Sequence, residues 1–299
     1  MNNSLSPIRS TSWYKSFLAN LLLLIPGSSL LAASPIWLIE NGAHSLYLAG
    51  TIHLLREQDY PLPKAFEQAY NKSQMLIFET DIGALGSPAV QQQIAVSSLL
   101  PDGQQLSQLV SQSTWQALSQ HLQSQALDPE RFQRLNPSAA ALTLVFLELA
   151  QLGIDHTGVD THFYLRATEA GKPTSYLESI DQHLGYLNRL GQDAPDEMLQ
   201  QTLAELSQLR TLFGAMINAW RKGDRARIDN LFVKPMREDF PATYRSLLTH
   251  RNLNWVPQLE AMLESAKTEM VLVGSAHMAG ADGLLELLRA RGYKIRQLD

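Results

Sequence analysis

The chain contains no cysteine. Disulfides, thiolate nucleophiles and Cys-ligated metals are therefore excluded, and any metal has to be held by His, Asp or Glu. There is no Lys/Arg-rich stretch either, and the formal net charge over 299 residues is −5. A protein that follows a phosphate backbone needs the opposite balance, so nucleic acid is not an expected partner. The densest basic grouping, Arg221, Lys222, Arg225 and Arg227, reads as a solvated helix face. The signature H-E-x-x-H is absent, which excludes a helix-borne zinc protease site. No linker rich in Gly, Pro or Ser divides the chain.

Charge is also scarce at the start: Arg9 and Lys15 are the only charged residues ahead of Glu40. An apolar run at 17–25 follows them, Pro26-Gly27 breaks it, and 30–34 (LLAAS) ends in small residues. Charged region, short apolar region and small-residue site, in that order, are the pattern of a secretory signal over residues 1–34. The run is short against the roughly 20 residues of a spanning helix, with an uncleaved anchor at 17–33 as the alternative. The expected location is the periplasm, with membrane contact only through this segment if it is retained.

Hydrophobic residues make up 45% and charged residues 18%, ordinary values for a globular chain. PIWLIE (35–40) and SLYLAG (45–50) flank Asn41-Gly42, a hairpin signal. MLIFE (75–79) suits a buried strand. The C-terminal end repeats the plan: EMVLVG (269–274), a loop, a helix at 284–291 and a last strand, YKIRQL (293–298). Each end thus reads strand, G-[TS]-apolar-His, loop, helix, strand. Between them the 3.6-residue apolar spacing predicts helices over 104–127, 137–151, 159–171, 195–222, 225–250 and 256–266, with one strand at 174–178. The expected fold is α/β (α+β): duplicated βαβ-like units forming a central mixed sheet with GxxH motifs at strand ends. A single domain over 35–299 carries a large helical insertion at about 84–266.

The GxxH copies, LAGTIHLL at 48–55 and LVGSAHMA at 272–279, place His53 and His277 just past strand ends. Ligands of open α/β sheets bind beyond those ends. Gly50 and Gly274 are read as backbone turns or points of close approach. Glu79, closing another strand, completes a His53/Glu79/His277 set, and three protein ligands with a position left for water is the pattern of catalytic metal sites. Thr51 and Ser275 are expected either to bond the opposite ring nitrogens or to cap the following turn. Asp81 follows Glu79 closely, and either carboxylate is a candidate general base. His44, His121, His183 and His250 read as structural, and the grouping Asp155, His156, Asp160, His162 is weighed only as a weak second metal site.

These residues resemble the TraB/GumN family, related to the Tiki proteases and more distantly to erythromycin esterases. GTIH with a following DYPLP, FETD, GVD at 158–160, LES at 177–179, RN..W at 251–255 and the terminal VGSAH..G.DGLL..L...GY carry the resemblance, over about residues 36–299. It implies a hydrolase-like site with a divalent metal (Mn²⁺, Co²⁺ or Zn²⁺), with His53, Glu79 and His277 at its core. It also implies that Arg251 and Asn252 line the site, Arg251 as oxyanion stabiliser, and that Asp160 and Glu178 lie in or near the pocket. Asp160 alternatively caps the helix that begins near Thr161, Glu178 alternatively pairs with a buried arginine, and Arg251 alternatively sits in a surface ion pair.

Three functions follow as expectations. The first is a metal-dependent hydrolase, foremost a peptidase, acting on a peptide or small-molecule substrate. The second is a protein that sequesters a peptide without turnover. The third is a metal-independent esterase using a His/Glu pair.

Overall fold

The computed structural model describes residues 33–299; the signal or anchor expected at 1–34 falls almost wholly outside them. Among the described residues eight strands form: β1 (Ile36–Asn41), β2 (His44–Thr51), β3 (Leu54–Leu55), β4 (Met75–Phe78), β5 (His156–Thr157), β6 (Thr174–Tyr176), β7 (Glu269–Gly274) and β8 (Lys294–Gln297). Six of them make one mixed sheet in the order β6-β4-β7-β2-β1-β8. β1 runs antiparallel to both its neighbours, while β2, β7, β4 and β6 are mutually parallel. The Asn-Gly turn makes the β1–β2 hairpin, with Asn41 opposite His44.

Period-two alternation sorts the strand residues onto two faces. Ile36, Leu38, Tyr47, Ala49, Leu76, Phe78, Met270 and Leu272 face one core. Trp37, Ile39, Leu46, Leu48, Ile77, Val271 and Val273 face the other. Both crossovers are βαβ, and they interlock. β7 lies between β2 and β4, the strands of the first unit, and β2 and β1 lie between β7 and β8, those of the second. Helix Lys64–Lys72 buries Phe66, Ala69 and Tyr70 in the first core, while helix Leu284–Ala290 buries Leu284, Leu285 and Leu288 in the second. The repeated units therefore cover opposite faces of one sheet and bring their strand ends side by side.

The insertion departs in detail from the sequence expectation. The helix expected from 104 begins at Gln112, because Ser111 accepts from the Thr114 amide and caps it. The stretch 195–222 breaks at 207–208 into two helices. The stretch 225–250 contains two π-helical segments, Asp229–Val233 and Arg245–Thr249. Helix Pro88–Ser97 was not expected: it buries none of its residues, so it has no apolar stripe to read. Helix Ile180–Asn188 was also missed. It is short and carries Gly185, and only the Ser179/Gln182 capping box marks its start. A third core of Leu106, Leu118, Leu122, Leu144, Leu199 and neighbours lies wholly within the insertion. Among the described residues no helix is long and apolar enough to cross a membrane.

Trp220, on helix Leu209–Arg221, locks the insertion to the sheet: its fully buried indole donates to the Gly50 carbonyl at 2.7 Å. Trp220→Phe keeps an aromatic ring but strands that acceptor and leaves a void where the pyrrole ring packs. The expected cost is about 1–3 kcal/mol, the usual penalty of an unsatisfied buried polar group, read as a lower urea midpoint with an unchanged m-value.

Candidate active site at the strand ends

The carboxyl ends of β4, β7 and β2 each deliver one side chain to the same place. Glu79 directly follows β4, His277 sits in the single helical turn Ser275–Met278 after β7, and His53 stands two residues beyond β2. A methyl group placed on Gly274 would lie 3.3 Å from Glu79 Oε1, 3.4 Å from His53 Nε2 and 3.8 Å from His277 Cδ2. All three side chains thus face the space that the missing Cβ leaves.

Of the two roles expected of the glycines, the turn is removed and the close approach remains. Gly274 has φ −51° and ψ 137°, a conformation open to most residues, so its value here is the room it leaves. Gly50 lies within β2, paired with Val273, while Thr51 pairs with Gly274. A Cβ on Gly50 would come within 2.9 Å of Ser275 Oγ, so close packing, and no turn, is what that position requires. Neither Thr51 nor Ser275 bonds an imidazole: the Ser275 hydroxyl donates to the Thr51 carbonyl at 2.9 Å and the Thr51 hydroxyl to Asp160 Oδ1 at 2.8 Å.

Asp160 belongs to the site and does not cap the helix, whose N-cap is Gly158. Its second oxygen accepts from His53 Nδ1–H at 2.9 Å. The GVD motif explains how it arrives. β5 pairs with β3 and draws the backbone alongside His53, and the Val159 amide donates to the Ile52 carbonyl at 2.9 Å. A Cβ on Gly158 would stand 2.1 Å from the His53 carbonyl oxygen, so only glycine fits there.

Arg251 is buried at 7% exposure, and its five N–H groups meet five acceptors. Nε–H and one Nη2–H go to Glu178 at 3.0 and 2.8 Å, the other Nη2–H to Glu79 Oε2 at 2.5 Å. Nη1 donates to the Leu247 carbonyl and to His277 Nε2, both at 3.3 Å. The guanidinium lies 4.6 Å over the Trp255 ring and 5.5 Å from the Tyr186 ring centroid. The oxyanion role expected of Arg251 is corrected on this ground, because no N–H remains for a substrate oxygen. Its work is to neutralise and orient Glu79.

Asn252 is an orienting residue, not a reacting one. Its Nδ2 donates to the Asp282 carbonyl at 2.7 Å, which fixes Oδ1 as the acceptor of His277 Nδ1–H at 2.6 Å. His277 therefore keeps a lone pair on Nε2, 3.7 Å from Glu79 Oε1. Asp81 accepts from the Ala84 amide at 3.0 Å and caps the short helix after β4, which commits one of its oxygens away from base chemistry.

The electrostatics separate the three central groups. Burial, reinforced by the Arg251 guanidinium against the pull of Glu79, brings His277 down to about 3, so the ring is neutral. Burial on its own would raise Glu79. The Arg251 charge overcomes it and, with the Gly274 amide donating to Oε1 at 2.6 Å, holds the carboxyl well below the usual carboxylate range. Burial is the largest single influence on His53 and pulls it down, but the charge and hydrogen bond of the Asp160 carboxylate, with Glu79, more than offset it and raise it to about 9.

Glu79, Glu178 and His183 also offer ligand atoms within 4.8 Å of one another, the one such group among the described residues. Neither Asp155, His156, Asp160 and His162 nor the set His53, Glu79 and His277 meets that spacing there, and His162 instead packs against Tyr60 and Phe163. His183 was read as structural, yet its Nδ1–H donates to Glu178 Oε1 at 2.8 Å. No motif links it to Glu178 five residues earlier. Trp255 was legible as Arg251's neighbour one helical turn on, and its ring centroid stands 4.5 Å from that of His277.

Because the folded pKa of His53 is raised above its ordinary value, its pairing with Asp160 stabilises the metal-free protein fully below about pH 6.5. That contribution is lost as pH rises through about 9. An NMR titration of metal-free protein should place the His53 midpoint near 9, and Asp160→Asn should bring it to the ordinary histidine range or lower. A midpoint unmoved by Asp160→Asn contradicts the pairing.

The chain is 24% identical over 252 residues to "Uncharacterized protein YbaP" of Escherichia coli K12, covering 83% of this chain and 89% of that one. It is 23% identical over 313 residues to "Metalloprotease TIKI1" of Danio rerio, covering 87% of this chain and 62% of that protein. No solved structure matches it. The TraB/PrgY/gumN family matches residues 35–297, nearly everything described above, and the chain belongs to that family.

Proposed function

We propose that the chain is a metal-dependent hydrolase of peptides. One observation carries this reading: His53 Nε2, Glu79 Oε1 and the His277 ring converge on the side-chain-free Cα of Gly274. The donor set suits a divalent cation. Each imidazole has its Nδ1 tied, to Asp160 in one case and Asn252 in the other, which fixes tautomer and orientation as the partners of metal-binding histidines do. The likeness to a protein named a metalloprotease supports the same reading.

Glu79, Glu178 and His183 are the weaker choice for that ion. Arg251 already bonds both carboxylates there, and a second cation would have to displace it. The set His53, Glu79 and His277 displaces only the long Arg251 Nη1 contact to His277 Nε2 at 3.3 Å and keeps both Arg251–carboxylate pairs, with Glu79 giving Oε2 to the guanidinium and keeping Oε1 for the site.

The metal, when bound, lowers the pKa of a water and polarises the substrate carbonyl. The protein's own groups do the rest. His277 is neutral and binds through Nε2 once that nitrogen releases the Arg251 Nη1–H it accepts at 3.3 Å. His53 carries a proton at neutral pH in the metal-free protein and has to release it on loading. Glu79 is held ionised too firmly by Arg251 to accept a proton readily, so its part is to bind and to balance charge. The expected site of action is outside the cytoplasm, supported by the residues 1–34 pattern. Sequencing the N-terminus of envelope-fraction protein tests it, and an intact Met1 on cytoplasmic protein overturns it.

Gly274→Ala tests the proposal without removing any ligand. The added methyl occupies the convergence point with its nearest atoms at 3.3–3.4 Å, while the backbone stays unstrained. Mn²⁺ or Co²⁺ affinity by calorimetry should fall at least about tenfold, corresponding to roughly 1.4 kcal/mol, and cleavage of a casein substrate should fall with it. The melting temperature of the metal-free protein should change little. Unchanged metal affinity in Gly274→Ala sinks the reading.

A further inference from the structure

The outer edge of the sheet beside the site is open. The Leu76 amide donates to the Pro173 carbonyl at 3.0 Å and the Leu177 amide to the Phe78 carbonyl at 3.0 Å. Pro173 and Leu177 thus turn their polar groups toward β4, and by the period of two Ser175 does the same. Thr174 and Tyr176 turn theirs away, and no other strand lies on that side among the described residues. Both residues are exposed, Tyr176 at 48%. β6 leads directly into Glu178, whose amide donates to the Glu79 carbonyl at 2.9 Å, so the open edge runs up to the site.

A second observation lies at the same edge. A small cavity of about 70 Å³ is lined by Thr80, Asp81, Tyr164, Thr174, Ser175 and Tyr176 among others. Thr80 is 2% exposed, and its hydroxyl is buried without a hydrogen-bond partner. An orphaned buried hydroxyl costs stability unless something meets it. The cavity has space for one small side chain, and the residue that offers the hydroxyl is the one after Glu79.

We propose that this edge is the peptide-binding rail of the site: an extended peptide adds to β6 through the free amide and carbonyl groups of Thr174 and Tyr176, and sets a small polar side chain against Thr80 Oγ1. The proposal deepens the hydrolase reading by naming the substrate conformation and the side-chain class it prefers. Main-chain bonds to a sheet edge accept any extended sequence, and a pocket for an alternate side chain selects among them. Ser, Thr and Asn are small enough for the cavity and offer a group that bonds a hydroxyl. A hydrophobic side chain of the same size would leave Thr80 unmet.

The test uses metal-free protein, so that binding is read separately from metal loading and turnover. The probes are twenty peptides, acetyl-Ala-Ala-Xaa-Ala-Ala-amide, one for each residue type, with NMR shifts and amide exchange as the readout. Peptides with Ser, Thr or Asn at Xaa should bind about fivefold or more tighter than those with Val or Leu. They should slow exchange at the Thr174 and Tyr176 amides, and N-methylation of the peptide amides should abolish the effect. Thr174→Pro removes only an outward N–H, which an edge strand tolerates, and should weaken every peptide. Thr80→Val should erase the preference among peptides while leaving the melting temperature unchanged or raised. The proposal falls if Thr174 and Tyr176 stay unprotected, if N-methylated peptides bind equally, or if Thr80→Val leaves the preference intact. Cleavage of casein by a protein that fails this test would refute the rail and spare the hydrolase; peptide binding without metal uptake would do the reverse.

Discussion

One buried carboxylate organises this site. Glu79 lies at the end of a central strand, 6% exposed, where an uncompensated negative charge would be costly. It is compensated on two sides. Arg251 takes Oε2, and the Gly274 amide, from the neighbouring strand, takes Oε1. Arg251 in turn needs Glu178, which needs His183, and Arg251 rests on Trp255, which rests on His277. Helices from the insertion are thereby fixed to the strand ends through charge pairs that fail if any partner is removed, since breaking a buried pair costs far more than the pair contributes. The same chain of contacts leaves Glu79 Oε1 and both imidazoles facing one open position.

The two histidines reach that position by different routes, and this gives them different chemistry. His277 is enclosed, backed by Trp255 and tied to Asn252, so it is neutral. His53 stands at the accessible edge beside Asp160 and carries a proton at neutral pH. A duplicated sequence motif has become an asymmetric pair, with one ring buried and ready and the other reachable from solvent. Gly158 makes the asymmetry, because only a glycine lets the segment bearing Asp160 approach the His53 backbone.

Much of this was legible in the residues. The hairpin, the repeated strand-Gly-x-x-His plan and the strand at 75–79 follow from periodicity and turn chemistry, and the strand ends carry Glu79, His53 and His277 to one edge as the motifs imply. The illegible parts depend on contacts far apart in sequence. Helix Ile180–Asn188 is short and carries Gly185, yet it brings His183 to Glu178 and Tyr186 to Arg251. The saturation of Arg251 requires acceptors from four separate segments, so nothing in RN..W distinguishes a free guanidinium from a fully engaged one. Gly50 and Gly274 stand out in the motifs, but the reason, close packing at Gly50 and space at Gly274, appears only when neighbouring strands are in register, and nothing in GVD marks the close approach at Gly158.

Anomalous diffraction from crystals loaded with Mn²⁺ or Co²⁺ tests the central claim most directly. The account predicts one peak beside Gly274, held by His53, His277 and Glu79, with Arg251 still bonded to Glu79 and Glu178. A peak among Glu79, Glu178 and His183 with Arg251 displaced, or no peak at the strand ends, would contradict it.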